Sequence, residues 1–295
     1  MSYAIVTDTS ANIPARLTEK YDLHVLPFTY CMHGEDIANV CYDCDTFDGK
    51  TYYDLIRNGL RVYTSQVTPQ TYEKYMTPIL ESGQDILFVG MSSGISSSFA
   101  SMEMAREALL EKFPERKIRL VDTKGASLGE GFIAIHGSQY RANGMELDEC
   151  ADKLIDETVG MCQVFTVDDL MHLRKTGRLS NATAIIGTVL NIKPLLKGDQ
   201  DGRIVSFDKV RGRKRSIEAI AKYYDELVKD AGDQTIGIAH ADCQEDVDRL
   251  ISLLKKNNPP KDILTVMYEP VTGSHVGPNA LALFFFGDRN FRSRK

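Results

Sequence analysis

Asp85-Ile86-Leu87-Phe88-Val89-Gly90-Met91-Ser92-Ser93-Gly94-Ile95-Ser96 is a short apolar run that closes on a serine- and glycine-rich turn. An apolar run of this length, bounded by turn residues, suits a strand buried on both faces. The segment from about Ser98 to Phe113, rich in Met, Ala, Glu and Leu, suits a helix. The same succession recurs on either side. Upstream, Ala4-Ile5-Val6 runs into the cap and turn residues Thr7-Asp8-Thr9-Ser10-Ala11-Asn12-Ile13-Pro14, with Pro14 set to open a helix. Downstream, Ile118 to Val121 reads as a strand closed by Asp122-Thr123-Lys124-Gly125, and a helix follows from about Ser127 to Asn143. Strand, turn and helix repeated in this order predict an α/β fold, with a mainly parallel sheet covered on both faces in a three-layer N-terminal domain.

Between Leu23 and Arg61 the pattern breaks into turn residues, tyrosines and short β-prone runs, which suggests a small inserted loop or hairpin. The second half mixes strands (Cys162 to Thr166, Ile204 to Phe207, Thr235 to His240, Ile263 to Tyr268, Leu281 to Phe286) with helices near 183–189, 215–230 and 244–257. Few of its connections look like βαβ units, so a mixed-sheet α/β C-terminal domain is expected. The change of character falls near Glu157. The expected division is 1–157, with an insertion near 23–61, and 158–295.

At 295 residues and 43% hydrophobic content the chain can bury a sizeable core. No apolar run approaches the roughly 20 residues that span a bilayer, and a strand pattern begins at Tyr3 without a signal-like segment before it. Six unevenly spaced cysteines point to a reducing compartment, so a cytoplasmic protein is expected. The formal charge of −6 argues against nucleic acid as a general partner. Basic residues still cluster in Lys209-Val210-Arg211-Gly212-Arg213-Lys214-Arg215, as a solvated helix start or as a local anion site.

Chemistry concentrates in Thr64-Ser65-Gln66, in Gly90 to Ser96, and in Gly273-Ser274-His275-Val276-Gly277-Pro278. Small hydroxyls, N–H groups freed by glycine and one imidazole suit the capture of an anionic oxygen. Thr64, Ser65, Ser93, Ser96 and His275 are the candidate ligand-binding residues. Gly90-Met91-Ser92-Ser93-Gly94 also matches the nucleophile elbow Gly-x-Ser-x-Gly, so a serine hydrolase using Ser92 with His275 is the alternative. Against it, no His-Gly-Gly-Gly oxyanion motif occurs and no aspartate stands out to orient His275. A helix N-terminus uses the same hydroxyls differently, since its first N–H groups are unpaired and carry partial positive charge. One capping serine explains one or two of Ser92, Ser93, Ser96, Ser97 and Ser98, but not five.

Cys41-Tyr42-Asp43-Cys44 is a lone Cys-x-x-Cys; Cys31 and His33 lie near, but no fourth ligand completes a zinc site, so ordinary cysteines are expected and no metal. No cofactor loop is present. Arg174-Lys175-Thr176-Gly177-Arg178-Leu179-Ser180 puts two arginines around a glycine turn, as surface charge or as a face for phosphate or an acidic protein. His24, His33, His136, His172 and His240 share no ligand spacing.

Taken in order, Thr7-Asp8-Thr9-Ser10, Thr64-Ser65-Gln66, Ser92-Ser93-Gly94-Ile95-Ser96, Arg174 to Ser180, Ile192-Lys193-Pro194-Leu195-Leu196, Arg211-Gly212-Arg213-Lys214 and Gly273 to Pro278 resemble the DegV family over almost the whole chain. The resemblance implies a two-domain protein that holds one long-chain fatty acid between its domains. It implies further that the protein is the acyl-carrying, non-catalytic subunit of a bacterial fatty acid kinase, whose separate kinase phosphorylates the bound carboxyl group. By similarity, Thr64 and Ser96 contact the carboxylate, His275 lies close by, and Arg174 and Arg211 sit on the rim facing the kinase. The chain departs from the family where Leu-Ser-Gly-Thr is common and it has Ile95-Ser96-Ser97-Ser98, and where Gly-Pro-Gly is common and it has Gly277-Pro278-Asn279.

Such a site is physically reasonable. Each buried methylene contributes about 0.8 kcal/mol, so a tail of some fourteen carbons supplies roughly 11 kcal/mol before ordering costs. The carboxylate needs several donors, because a bare buried charge costs many kcal/mol.

Overall fold

The computed structural model describes residues 3–35, 38–180 and 191–294. Its first half contains β1 (Tyr3–Asp8), α1 (Ala15–Lys20), β2 (Leu23–Leu26), β3 (Thr29–Met32), α2 (Gly49–Arg57), β4 (Val62–Ser65), α3 (Pro69–Glu81), β5 (Asp85–Gly90), α4 (Ser98–Lys112), β6 (Ile118–Asp122), α5 (Leu128–Ala142) and α6 (Leu147–Thr158). The order β2-β1-β5-β6 makes a four-stranded sheet in which every pairing is parallel, as strand–turn–helix repetition requires. Pro14 stands at the N-cap of α1. Leu23–Leu26 departs from the expected insertion: it is the edge strand of this sheet, paired in parallel with β1. The hairpin element that follows is β3 against β4, antiparallel, with Tyr30 opposite Thr64.

The second half contains β7 (Met161–Thr166), α7 (Met171–Lys175), β8 (Ile192–Gly198), β9 (Ile204–Arg211), α8 (Arg213–Leu227), β10 (Thr235–His240), α9 (Gln244–Asn257), β11 (Asp262–Met267), α10 (Pro270–Val276) and β12 (Leu281–Phe286). Its six-stranded sheet runs β11-β10-β12-β7-β8-β9; only β10 and β11 pair in parallel, so the sheet is mixed. The helix expected near 183–189 lies outside the described residues. The helix expected at 215–230 is α8, which starts two residues earlier because Gly212, at φ 96°, turns the chain out of β9. It stops at Leu227, where Val228 becomes extended and bridges to Gly287. Strand β8 is not legible as a strand, since Pro194 and two lysines interrupt it. Pro194 is tolerated because β7 pairs only with Leu196 and Lys197 beyond it.

Alternation of side chains along the strands builds the layers. Ala4 and Val6 of β1, with Ile86 and Phe88 of β5, pack against Tyr72 and Met76 of α3 and Met102 and Ala105 of α4. The intervening residues Ile5, Leu87 and Val89 face the other way, into a core with Ile133 and Ala134 of α5. Phe165 of β7, Ala239 of β10 and Phe284 of β12 belong to that same core, so the two sheets share it. Val164, Ile238, Leu283 and Phe285 face outward onto Ile217, Tyr224 and Leu250 of α8 and α9. The result is five layers, helix–sheet–helix–sheet–helix, in two domains joined through a common apolar middle.

Candidate functional site

The turn after β5 is one of the places where the two halves touch. Ser92 Oγ donates to the Gly202 carbonyl in the β8–β9 turn at 2.9 Å and accepts from Gly94 N at 3.1 Å. A Cβ on Gly94 would stand 2.6 Å from the Asp201 carbonyl oxygen and 2.8 Å from the Gly202 carbonyl carbon. The spacing of glycine, serine and glycine is therefore a socket for a backbone turn. Ser92 is fully buried, already committed as a donor, and makes no hydrogen bond to His275 among the described residues. The geometry gives no support to a nucleophilic role for it.

Six residues after Ser92 the chain enters α4. Ser96 Oγ accepts from Ser98 N at 3.2 Å and donates to Ser98 Oγ at 3.0 Å, while Ser98 Oγ accepts from Val67 N at 3.1 Å. These bonds fasten the end of β4 to the start of α4 and bring Thr64 beside Ser96. From the other side α10 arrives, capped by the buried Glu269, whose carboxylate accepts from Val271 N and Thr272 N at 2.6 Å each. Burial pushes the Glu269 carboxyl up to about 7.

These elements enclose a cavity of about 270 Å³. Its polar lining is Thr64, Ser65, Gln66, Ser96, Ser97, Thr272, His275 and Arg178; its apolar lining includes Phe28, Met91, Ile95, Leu173, Ile204 and Val271. Thr64 Oγ1 lies 3.0 Å from His275 Nε2. His275 Nδ1 is inaccessible to solvent and has no hydrogen-bond partner among the described residues, while the Thr272 side chain lies against the Glu269 carboxyl that caps the helix. Three residues apart on α10, His275 and Thr272 share a helix face. Burial, reinforced by the charge of Arg178, presses the His275 pKa down to about 4, so the ring is neutral at physiological pH.

The sequence-derived candidates divide. Thr64, Ser65, Ser96 and His275 line the cavity together. Ser93 does not: its N–H donates to Asp122 and its Oγ accepts from Lys124 Nζ at 3.3 Å, because the turn that faces Ser96 inward faces Ser93 outward. Arg174 and Arg211 are exposed, and neither is among the lining residues. Two lining residues escape sequence reasoning. Arg178 was in view as the second arginine of its turn, but only the return of the chain after α7 turns it inward. Thr272 was detectable from its spacing to His275, had the segment been read as a helix.

Supporting groups lie behind the wall. Thr9 Oγ1 accepts from the N–H of the lining residue Phe28 at 2.9 Å. Asp8 and Glu130 form a buried carboxyl pair bridged by the Ser10 hydroxyl; burial pushes Asp8 up to about 6 and Glu130 well above the usual range. Thr7-Asp8-Thr9-Ser10 thus braces the floor of the site. Asn279 sits at φ 62° and uses its side chain to reach Arg57 and Asp168. Cys41 and Cys44 are free thiols, each pushed up to about 12 mainly by burial, and Cys44 bonds the Asn12 carbonyl. No helix among the described residues is long and apolar enough to cross a membrane.

The family model described as "Uncharacterised protein, DegV family" matches residues 2–288. A DegV domain-containing protein of Clostridium perfringens is 35% identical over 290 residues, covering 97% of this chain and 98% of the relative. Among solved structures, a fatty acid-binding DegV family protein of Streptococcus agalactiae is 28% identical, with a TM-score of 0.84 over 98% of this chain and 99% of that one. DegV of Bacillus subtilis, described as a fatty acid binding protein, is 28% identical with a TM-score of 0.81, over 96% and 98% of the two chains. A Thermus thermophilus DegV family protein reaches a TM-score of 0.86 at 24% identity, over 97% of this chain and 100% of that one, a likeness of fold. Near-complete coverage by the family model and by the curated relative makes this chain a member of the DegV family.

Proposed function

We propose that this protein binds one long-chain fatty acid between its domains and presents the carboxylate to a separate kinase for acyl phosphate formation. The observation that carries the reading is a cavity lined by hydroxyls and an imidazole together with apolar side chains, with a buried His275 Nδ1 that has no partner among the described residues. A fatty acid answers both parts: its tail buries against Phe28, Met91, Ile95, Leu173 and Ile204, and its head meets Thr64, Ser96 and His275, with Ser65 beside them. Structural relatives at 28% identity are described as fatty acid binding, which supports the ligand class. The kinase step follows the family resemblance and the exposed Arg174 and Arg211, whose charges suit an anionic group and an incoming nucleotide.

Binding alone needs no acid–base set, and the protein acts as a carrier. Native mass spectrometry of the purified protein is the test. A mass increment equal to a fatty acid is expected; protein that is free of lipid and gains no mass on incubation with fatty acids would overturn the reading. A fluorophosphonate probe is expected to leave Ser92 unlabelled.

A further inference from the structure

We propose that Tyr53 is a positioning residue of the head-group site: lodged against Gly273, it sets how far α10 advances His275 toward Thr64. The inference rests on the reading of the cavity as a fatty acid site and adds what holds its two head-group elements in place.

Helix α10 is short, and Thr272 and His275, which line the cavity, lie on one face of it. Gly273 falls about 130° round the helix from the midpoint of that pair. It is buried, and it is not among the lining residues. Glycine is a poor choice inside a helix, where alanine is favoured. Here it is required by what stands behind it. A Cβ on Gly273 would collide with the Tyr53 hydroxyl and come within 3.0 Å of ring carbon Cζ and 3.3 Å of Cε1. Tyr53 cannot swing clear, because it is wholly buried and its hydroxyl donates to the Tyr268 carbonyl at 2.7 Å. Its neighbour Tyr52 donates to the Pro270 carbonyl at 2.8 Å. Two hydroxyls from α2 thus hold the backbone on which α10 starts, and one of them also presses on its back.

The same tyrosines seat the strand that brings Thr64. The Tyr52 ring meets Tyr53 edge-on at 5.2 Å between centroids and Tyr30 at 6.0 Å. Tyr30 of β3 stands opposite Thr64 of β4. The hairpin carrying Thr64 and the helix carrying His275 therefore rest on one aromatic pair, although they belong to opposite halves of the chain. The 3.0 Å between Thr64 Oγ1 and His275 Nε2 is the outcome of that shared seat. Shifting α10 on Tyr53 changes this distance, while Phe28, Met91 and Ile95 stay on elements of their own.

The test is a double-mutant cycle on delipidated protein with Gly273→Ala, Tyr53→Phe and the two together. Each is read by hexadecanoic acid affinity, by melting temperature, and by the ring-nitrogen NMR shifts of His275, recorded without lipid and assigned with His275→Gln. Gly273→Ala is expected to push α10 toward the cavity and move the His275 shifts. Its affinity is expected to fall by about ten- to a hundred-fold, the range for one hydrogen bond to a charged group. Tyr53→Phe is expected to move the shifts with a smaller loss of affinity. In the double variant the new methyl takes the place of the lost hydroxyl, a volume-conserving exchange. Shifts and affinity are then expected to return toward wild type, while the melting temperature stays lowered because the Tyr268 carbonyl has lost its donor. If Gly273→Ala alone does not fold, the shifts in Tyr53→Phe and their return in the double variant carry the test. Shifts that keep their wild-type values in the folded variants overturn the proposal. So does a double variant whose losses are the sum of the single ones, which would make Tyr53 core packing alone. Wild type that binds no hexadecanoic acid overturns the fatty acid reading, and the shifts, taken without lipid, still decide the role of Tyr53.

Discussion

Thr64 and Ser96 arrive from different elements and offer their hydroxyls to one cavity. Thr64→Val removes a donor and keeps the shape, and loss of one hydrogen bond to a charged group costs about 1.5–3 kcal/mol. Fatty acid affinity in Thr64→Val is therefore expected to drop by about one to two decades, with a lower melting temperature because the buried His275 ring loses its Thr64 partner; unchanged affinity in the Thr64→Val, Ser96→Ala double variant would remove both from the head-group site. His275 makes a different prediction. Its pKa is about 4 in the fold, against about 6.5 in the unfolded chain, so only the unfolded chain gains a proton between those values. The stability owed to the neutral ring is complete above pH 6.5 and is lost as pH falls toward 4, up to about 3 kcal/mol. Asp8 and Glu269, raised by burial, act in the opposite sense over an overlapping range. The quantity to measure is thus the difference between wild type and His275→Gln in urea unfolding across pH 4–7, and it should shrink toward acid pH. A difference independent of pH would contradict the buried neutral ring.

At the level of elements, the turn between β5 and α4 joins the domains, and its glycines serve that contact. Gly94→Ala pushes a methyl into the backbone of Asp201 and Gly202, atoms that cannot rotate away. A loss of about 1–3 kcal/mol is expected in chemical unfolding, against no more than about 0.5 kcal/mol at exposed Gly232, where a Cβ meets nothing within 4 Å. Helix α7 and the end of β9 predict a separation of effects. Arg174 and Arg211 are exposed and lie outside the cavity lining. Arg174→Ala and Arg211→Ala are expected to copurify with fatty acid as wild type does, yet to support slower acyl phosphate formation with the kinase and ATP. Wild-type rates in both would reduce them to surface charge, and parallel loss of lipid would move them into the head-group site.

For the whole molecule, a ligand seated between two sheets that share one core binds the folded chain alone, so fatty acid is expected to raise the melting temperature in a concentration-dependent way. At a hundredfold excess over Kd the gain is about 2.7 kcal/mol, and a melting temperature indifferent to added fatty acid would argue against a site between the domains. How much of this was legible beforehand follows from the range of the forces involved. Hydrophobic period and turn chemistry act over a few residues, so β1, β5, β6, α4, α5 and α9 were readable, as was the contrast between a parallel and a mixed sheet. The clusters at Thr64, Ser96 and His275 were readable as a set from residue type, and the fold brings the three to one cavity. The sequence could not show that Ser93 faces away from Ser96, that Leu23–Leu26 completes the first sheet, or that β8 forms around Pro194. It could not show that Arg178 rather than Arg174 reaches the cavity. Those outcomes depend on contacts between segments separated in sequence, from Ile5 with Leu23 and Ser93 with Asp122 to Ser92 with Gly202 and Thr64 with His275. Local sequence determined which chemical groups this protein owns; the packing of one sheet against the other decided which of them meet.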